Sequence, residues 1–451
     1  MFSKYFLEGI MNNGLYWFEH DLRLADNLPL QQTIAQIDQL HCIYIFNAAD
    51  FSTTKKKGAG QFNQRHMGQH RYRFIRQALD DLQSQLHTFG QQLHIYYGEP
   101  LDIIEQLNTQ FNFTHIGKHF HTGVYERNLI SALKIQYPNK TIINTNSYTL
   151  YDIDDLPMSI ENLPDVFSPF RRKVEKFCEA RLPDNALPVS FPPVVVAEQN
   201  MPDELPAIQV CDKKLLAKNE TVQRLIGGEL KAKEQMHHYT YGTQALSEYK
   251  ETRNGLEGWE FSSKLSPWLA AGCISPRQVA AAITEYEAQH GANDSTYWLF
   301  FELLWREFFQ WQQLKHGKSL YHRNGIQQKS PRGFHNKKVF EDWVNGDTAY
   351  PIINACMRQL KYTGFMSNRG RQLVASCFIH ELGLDWQYGA AYFEETLIDF
   401  DPASNWGNWQ YLAGVGSDPR GCRQFNLNKQ TQTYDPHGEF IEYWADYAPS
   451  N

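Results

Sequence analysis

The apolar positions of this chain change their period about a third of the way along. Early on they come in short runs, GLYWF at 14–18, HCIYIF at 41–46 and LHIYY at 93–97, each bounded by polar or turn residues. Runs of that length and type predict strands. THIGK at 114–118 and TIINT at 141–145 are shorter candidates of the same kind. Between them the spacing lengthens: Met67, Phe74, Ala78, Leu82 and Leu86 fall on one face of a helix over 66–88. Strands alternating with helices predict an α/β unit, a parallel sheet covered on both faces. No GxGxxG loop follows the first strand, so an ordinary dinucleotide site is not expected there.

Nine of the chain's twenty prolines lie between Pro157 and Pro206. Proline lacks the amide donor that helix interiors need, so this stretch predicts a long connector draped over the surface. Beyond it the pattern is helical. YWLFFELLWREFFQWQQL at 297–314 is apolar nearly all round and predicts a helix inside a domain. Glu302 interrupts it with Arg306 four residues on, the spacing of a local ion pair or of two charges sharing a cavity. The expected division is an α/β unit over 12–130, a connector over 131–205 and a helical unit over 206–451.

Composition narrows the partners. A formal net charge of -7 gives no overall attraction to nucleic acid. Arg323–Arg371, however, holds nine basic residues against Glu341, Asp342 and Asp347, enough for a phosphate-contacting patch or an ordinary solvated face. Seven scattered cysteines without a CxxC pair fit a reducing compartment, and a cytoplasmic location is expected. No apolar run approaches membrane-spanning length. The first ten residues lack the features of a signal peptide, and Met11 is an alternative start.

Thr363–Tyr411, TGFMSNRGRQLVASCFIHELGLDWQYGAAYFEETLIDFDPASNWGNWQY, carries the most chemistry. Its arginines, aspartates, asparagines and tryptophans lie in apolar helical sequence, where unpaired charges are costly. Arg371 has candidate partners in Asp399 and Asp401. A buried ion-pair network that only orients helices and a polar site for a flat, redox-active ligand are both open on residue types alone.

The same segment resembles the photolyase/cryptochrome family, most closely its DASH-type branch. TGFMSNRGRQ at 363–372, LDW at 384–386, DFDPASNWGNWQY at 399–411, GVGSDPR at 414–420 and YDPHGEFIEYW at 434–444 carry the resemblance. TRNG at 252–255, SSKLSPWLAAGCISPRQ at 262–278, ELLWREFF at 302–309 and WFEHDLRLADN at 17–27 extend it. It implies a Rossmann-like N-terminal domain joined to an all-α domain that binds FAD. It also implies roles for particular residues. Tyr249 and the Ser262, Ser263, Lys264, Leu265, Ser266 loop would hold the diphosphate. Arg306, Arg371, Asp399, Asp401 and Asn405 would surround the flavin, with Arg371 paired to Asp399 and Asn405 near ring N5. Glu302 and Trp305 would meet a lesion, and Asn368 the flavin or lesion. Trp409 and Trp386 would pass electrons to the flavin. The usual third, surface tryptophan falls near Gly333–Phe334, where none is present; Tyr388 is a candidate substitute.

The implied activity is blue-light repair of cyclobutane pyrimidine dimers by electron transfer from reduced FAD. SNRGRQ at 367–372 lacks the histidines of (6-4) photolyases. Gln372 and Tyr411 stand where double-strand-active dimer photolyases have Met and Trp, so single-stranded DNA is the expected substrate, with duplex DNA and RNA weaker partners. Arg253, Arg369 and Arg423 would contact phosphates. A monomer is expected. A methenyltetrahydrofolate or other antenna is a family expectation, but its usual glutamate is missing near His121–Gly123, leaving Glu126 after a loop shift. His66 and His70 have metal-ligand spacing on a helix but no third ligand, and no metal is expected. A blue-light receptor without repair, and a redox-inert flavin scaffold, are the competing readings. The absence of a long extension after Trp444 counts against the receptor.

Overall fold

The computed structural model describes residues 11–52, 64–195, 219–418, 421 and 423–447. The first ten residues, the 196–205 part of the expected connector and the last two residues of the GVGSDPR motif lie outside that range. Five strands, β1 (Asn13–Phe18), β2 (Gln39–Asn47), β3 (Leu93–Gly98), β4 (His115–Gly117) and β5 (Thr141–Ile143), form one sheet. Their order is β3-β2-β1-β4-β5, and every pairing is parallel. β1 is buried along Gly14–Phe18, as a strand covered on both faces must be. The order reverses direction between β1 and β4, which opens a crevice at their C-terminal ends. The expected α/β layer is present, and β5 extends the sheet beyond residue 130.

The connector is not simply draped over the surface. Phe167–Phe177 is a helix that buries Phe167, Phe170 and Val174. Those apolar positions recur on one face, and Pro169 falls in the first turn, where its missing amide costs little. Phe167 and Phe170 pack against Phe308 of the long Asp294–His316 helix. That helix is capped by Asn293, whose side chain accepts from the amides of Ser295 and Thr296.

From Glu220 onward the described chain forms helices and turns, with no sheet strand. Trp343, Trp386, Trp409 and Trp444 are buried in one apolar cluster of this part. The two layers are tied by buried polar contacts. Glu229 accepts from the Leu24 amide at 2.7 Å, and Arg23 donates to Gly272 O at 2.9 Å. Gly272 has φ +70°, and a Cβ there would come within 1.8 Å of His20 O. Only glycine lets the end of the Ser266–Ala271 helix approach the first strand's loop this closely.

Candidate cofactor site

A cavity of about 440 Å³ opens among the helices, within the roughly 300–1,000 Å³ range of small-molecule sites. The Asp294–His316 helix lines one side with Glu302, Trp305 and Arg306. The Pro402–Ala413 helix lines another with Asn405, Trp409 and Tyr411. The latter starts sharply because Asp401 caps it, accepting from the Ser404 amide at 2.7 Å, with Pro402 just inside. Asn368 and Gln372 reach the cavity from a helix capped by Ser367.

Asp399 is the electrostatic centre of one wall. Its Oδ2 accepts from Arg371 at 2.8 Å and from the Ser266 hydroxyl at 2.6 Å. Arg371 also donates to Met366 O at 2.9 Å. Ser266 thus ties the 262–266 loop to the ion pair. Within that loop Lys264 has a left-handed φ of 56° and donates to Ser262 at 3.2 Å. Burial pulls the Lys264 ammonium down to about 8, against the pull of Glu257 and Glu260.

Asp401 is held differently. Its Oδ2 accepts from Tyr148 and from Gln310, each at 2.8 Å. Burial would raise this carboxyl, but Arg306 and the Ser404 amide hold it below the usual carboxylate range. Arg306 donates to Tyr148 O at 2.9 Å and lies 4.2 Å over the Tyr148 ring. Asn405 donates to Ala390 O at 3.0 Å. Tyr148 and Gln310 were not singled out in the sequence. Gln310 had a signal, since it continues the Glu302–Arg306 helical face by one more step of four; Tyr148 lies outside any regular element and had none.

The mouth differs from the helix-local pairing that the spacing allowed. Glu302 pairs with Arg253, not with Arg306. Trp305 is stacked on Phe167 at 3.7 Å and meets Tyr411 edge-on at 6.1 Å. Arg423 lies 4.9 Å over the Tyr411 ring and pairs with Asp418. Arg369 stands apart from the cavity lining, bonded to Asn254 and over the Tyr434 ring. Tyr249, Ser262, Ser263 and Leu265 line the cavity with the residues above.

Trp409 lines the cavity, and Trp386 is buried against Trp406 at 5.8 Å with its indole donating to Arg323 O at 3.0 Å. Gly389 makes room for Trp409: a Cβ there would lie 2.2 Å from the indole. Phe334 occupies the expected surface-tryptophan position. It is 58% exposed and its backbone brackets Leu384, donating to Gly383 O at 3.1 Å and accepting from the Asp385 amide at 3.0 Å. Tyr388 stacks on His335 at 4.1 Å. His66 and His70 do not converge: His66 binds Glu394, and His70 binds Lys361 O. Much of the basic stretch is paired as well, Arg323 with Asp385 and Lys338 with Asp342.

Two buried polar atoms of cavity-lining residues have no protein partner, Arg306 Nη2 and Asp399 Oδ1. A ligand with both acceptors and donors on a flat ring would satisfy them, so the residues fit a flavin.

Residues 14–190 match the family model "DNA photolyase", and residues 298–447 match "FAD binding domain of DNA photolyase". The Cryptochrome DASH of Idiomarina loihiensis is 45% identical over 96% of this chain and 92% of that relative. A crystal structure of a Synechocystis cryptochrome superposes with a TM-score of 0.87 at 37% identity, covering 97% of this chain and 89% of that one. A bacterial class III photolyase from Agrobacterium tumefaciens gives 0.82 at 27% identity, with 98% and 88% covered. The chain belongs to the photolyase/cryptochrome family, in its DASH-type cryptochrome branch. It carries that family's FAD-binding domain, and none of its described helices is long and apolar enough to cross a membrane.

Proposed function

We propose that this chain is a blue-light-driven photolyase that binds FAD in the helical cavity and splits cyclobutane pyrimidine dimers, mainly in single-stranded DNA. The carrying observation is one cavity with the Arg371–Asp399 pair on its wall and Glu302 and Trp305 among its lining. Bound reduced FAD would supply an excited electron to the dimer and take it back, with no net redox change.

The chain's own residues place and tune that chemistry. Arg371 and Arg306 would help hold the flavin, and their permanent charge would favour negative charge on it. Lys264 and the serines of 262–266 supply donors for the diphosphate. Asn405, its amide nitrogen donating to Ala390 O, would present its neutral amide to the flavin. Trp305 gives an extruded dimer an apolar face, and Glu302 gives it a hydrogen-bond acceptor. Arg253, Arg369 and Arg423 would contact strand phosphates, Arg253 and Arg423 from within their pairs with Glu302 and Asp418. Tyr411 offers less aromatic face than an indole. The cost of extruding a dimer from a duplex, roughly a few kcal/mol, is then not fully recovered, and a single strand avoids most of it. Trp409 and Trp386 form the inner part of a route for reducing the flavin. A monomer working in the cytoplasm is the simplest setting. The one glutamate offered for a folate antenna, Glu126, faces His20 and His121 and does not extend the reading to a second chromophore.

A second reading, a blue-light receptor with little repair, is favoured by the mouth. Glu302 and Trp305 already have partners in Arg253 and Phe167, which a lesion would have to displace. Illuminating reduced protein with a defined dimer in single-stranded and duplex oligonucleotides separates the two. Repair in the single strand, far less in the duplex, and a loss of about tenfold or more in Glu302→Gln are expected. No repair on either strand, with light-dependent DNA binding retained, would establish the receptor instead.

A further inference from the structure

The crevice between β1 and β4 holds a second cluster that the flavin reading does not use. His20 follows β1, and His121 and Glu126 follow β4. Among the described residues they form the one trio of His, Cys, Asp or Glu that could hold a metal, with one ligand atom from each, all within 4.8 Å of one another. Three features set it apart from a routine ion-pair cluster.

First, the groups face one another without bonding. Glu126 oxygens lie 3.8 Å from His20 Nε2 and 3.6 Å from His121 Nδ1, beyond hydrogen-bond length. Second, the Gly123 amide donates to His121 Nδ1 at 3.0 Å, which makes that nitrogen a lone-pair acceptor. The Glu126 carboxylate thus receives no proton from His121 Nδ1, and His121 Nε2 is buried with no partner. Third, backbone space is reserved for the carboxylate. A Cβ at Gly123 would sit 1.9 Å from Glu126 Oε2 and 2.8 Å from His121 Nδ1. The nearby Lys118 ammonium does not fill the role, because it is paired with Glu19 and lies over the Trp17 ring at 4.0 Å.

We infer that His20, His121 and Glu126 bind one divalent transition-metal ion, zinc being the first candidate by ligand chemistry. Two neutral imidazoles and one carboxylate are a zinc ligand set that leaves a fourth position for water. Bonds of about 2.0–2.1 Å put tetrahedral ligands roughly 3.3 Å apart, so the trio, whose ligand atoms lie within 4.8 Å of one another, must close by up to about 1.5 Å around the ion. The Gly123 amide bond is the interaction the ion replaces. Entry is from the His20 side, whose side chain is 30% exposed.

The site reaches the flavin cavity through its own loop. Thr122, between His121 and Gly123, donates to Gln310 at 2.7 Å and Gln313 at 2.8 Å, and Gln310 holds Asp401. His121 also packs on Tyr148, the other partner of Asp401, at 4.7 Å. An ion at the trio would brace this loop and, through it, the Asp401 side of the cavity.

The test uses the full-length protein with its flavin, stripped of metal by a chelator and titrated with Co²⁺ alone. One equivalent should bind, with visible d–d bands of a four- or five-coordinate ion, and Zn²⁺ should displace it. The melting temperature should rise with metal concentration by mass action. His20→Gln and Glu126→Gln, both close in shape, should each weaken binding by more than about tenfold and abolish the melting shift while keeping the flavin spectrum. His66→Ala, at the other histidine pair, should bind as the parent does. No saturable cobalt uptake, or uptake that both trio variants retain, or uptake lost in His66→Ala, would overturn the assignment and leave protons as the only cations in the crevice.

Discussion

Asp399 in the helical cavity and Glu126 in the sheet crevice are both carboxylates enclosed by protein, yet they are neutralised in opposite ways. Asp399 receives a guanidinium N–H at 2.8 Å and a hydroxyl at 2.6 Å on one oxygen. Glu126 faces two imidazoles at 3.6 and 3.8 Å and bonds to neither. Arginine stays charged at every accessible pH, so the cavity is built before its ligand arrives. Imidazoles carry charge only when protonated or metal-bound, so the crevice is complete only under some conditions. Doubly wound sheets commonly bind ligands at this crevice. Here the His20, His121 and Glu126 cluster lies in it, and the cavity with the Arg371–Asp399 pair lies among the helices.

The sharpest way to break the comparison is Arg371→Met. It leaves Asp399 buried without its cation, at a cost of roughly 3–5 kcal/mol, and FAD retention should be lost. Denaturant unfolding and flavin content measure both. Asp401→Asn should cost about 1–3 kcal/mol, because Tyr148 and Gln310 lose a charged acceptor. Tyr148→Phe should cost about 1 kcal/mol, and the double variant should fall short of the sum. Arg371→Met and Tyr148→Phe act on opposite walls and should add.

The pH dependence sharpens the contrast further. Lys264 has its pKa pulled down to about 8, and anionic diphosphate favours its protonated form. Binding FAD therefore raises that pKa. Affinity should be flat below about pH 8 and fall above it by at most about tenfold per pH unit. Lys264→Gln should bind more weakly and remove that slope. Isothermal titrations from about pH 7 to about pH 9 decide this. The smallest effect on stability, of order 1 kcal/mol, is expected for Trp386→Phe. It should leave FAD binding intact and slow light-driven flavin reduction, followed by absorbance under illumination.

The helical cavity was largely legible before the fold because its residues cluster in a few contiguous motifs. The cost of leaving Arg371 alone named Asp399 and Asp401 as its candidate partners, and the family resemblance chose Asp399. The strands of the parallel sheet were equally readable, since a twice-covered strand such as Gly14–Phe18 must be apolar throughout. What spacing could not give was partnership across elements. Glu302 and Arg306 share a helix face, but Arg253 and Tyr148 O, from distant segments, hold them. Tyr148 lies in coil, where no periodicity marks a buried hydroxyl. The helix at Phe167–Phe177 was hidden by the prolines around it. His66 and His70 had ligand spacing but no third ligand and gave no metal site, whereas the trio that does come together is spread over 106 residues between His20 and Glu126.

The central claim is that the Arg371–Asp399 wall makes this cavity an FAD site. Its most direct measurement is an equilibrium titration of FAD into the stripped full-length protein, beside Arg371→Met and Asp399→Asn. The account predicts one FAD per chain, with binding lost or weakened by more than about a hundredfold in both variants. Parent protein that is folded but takes up no FAD, or variants that bind it as tightly as the parent, would contradict it.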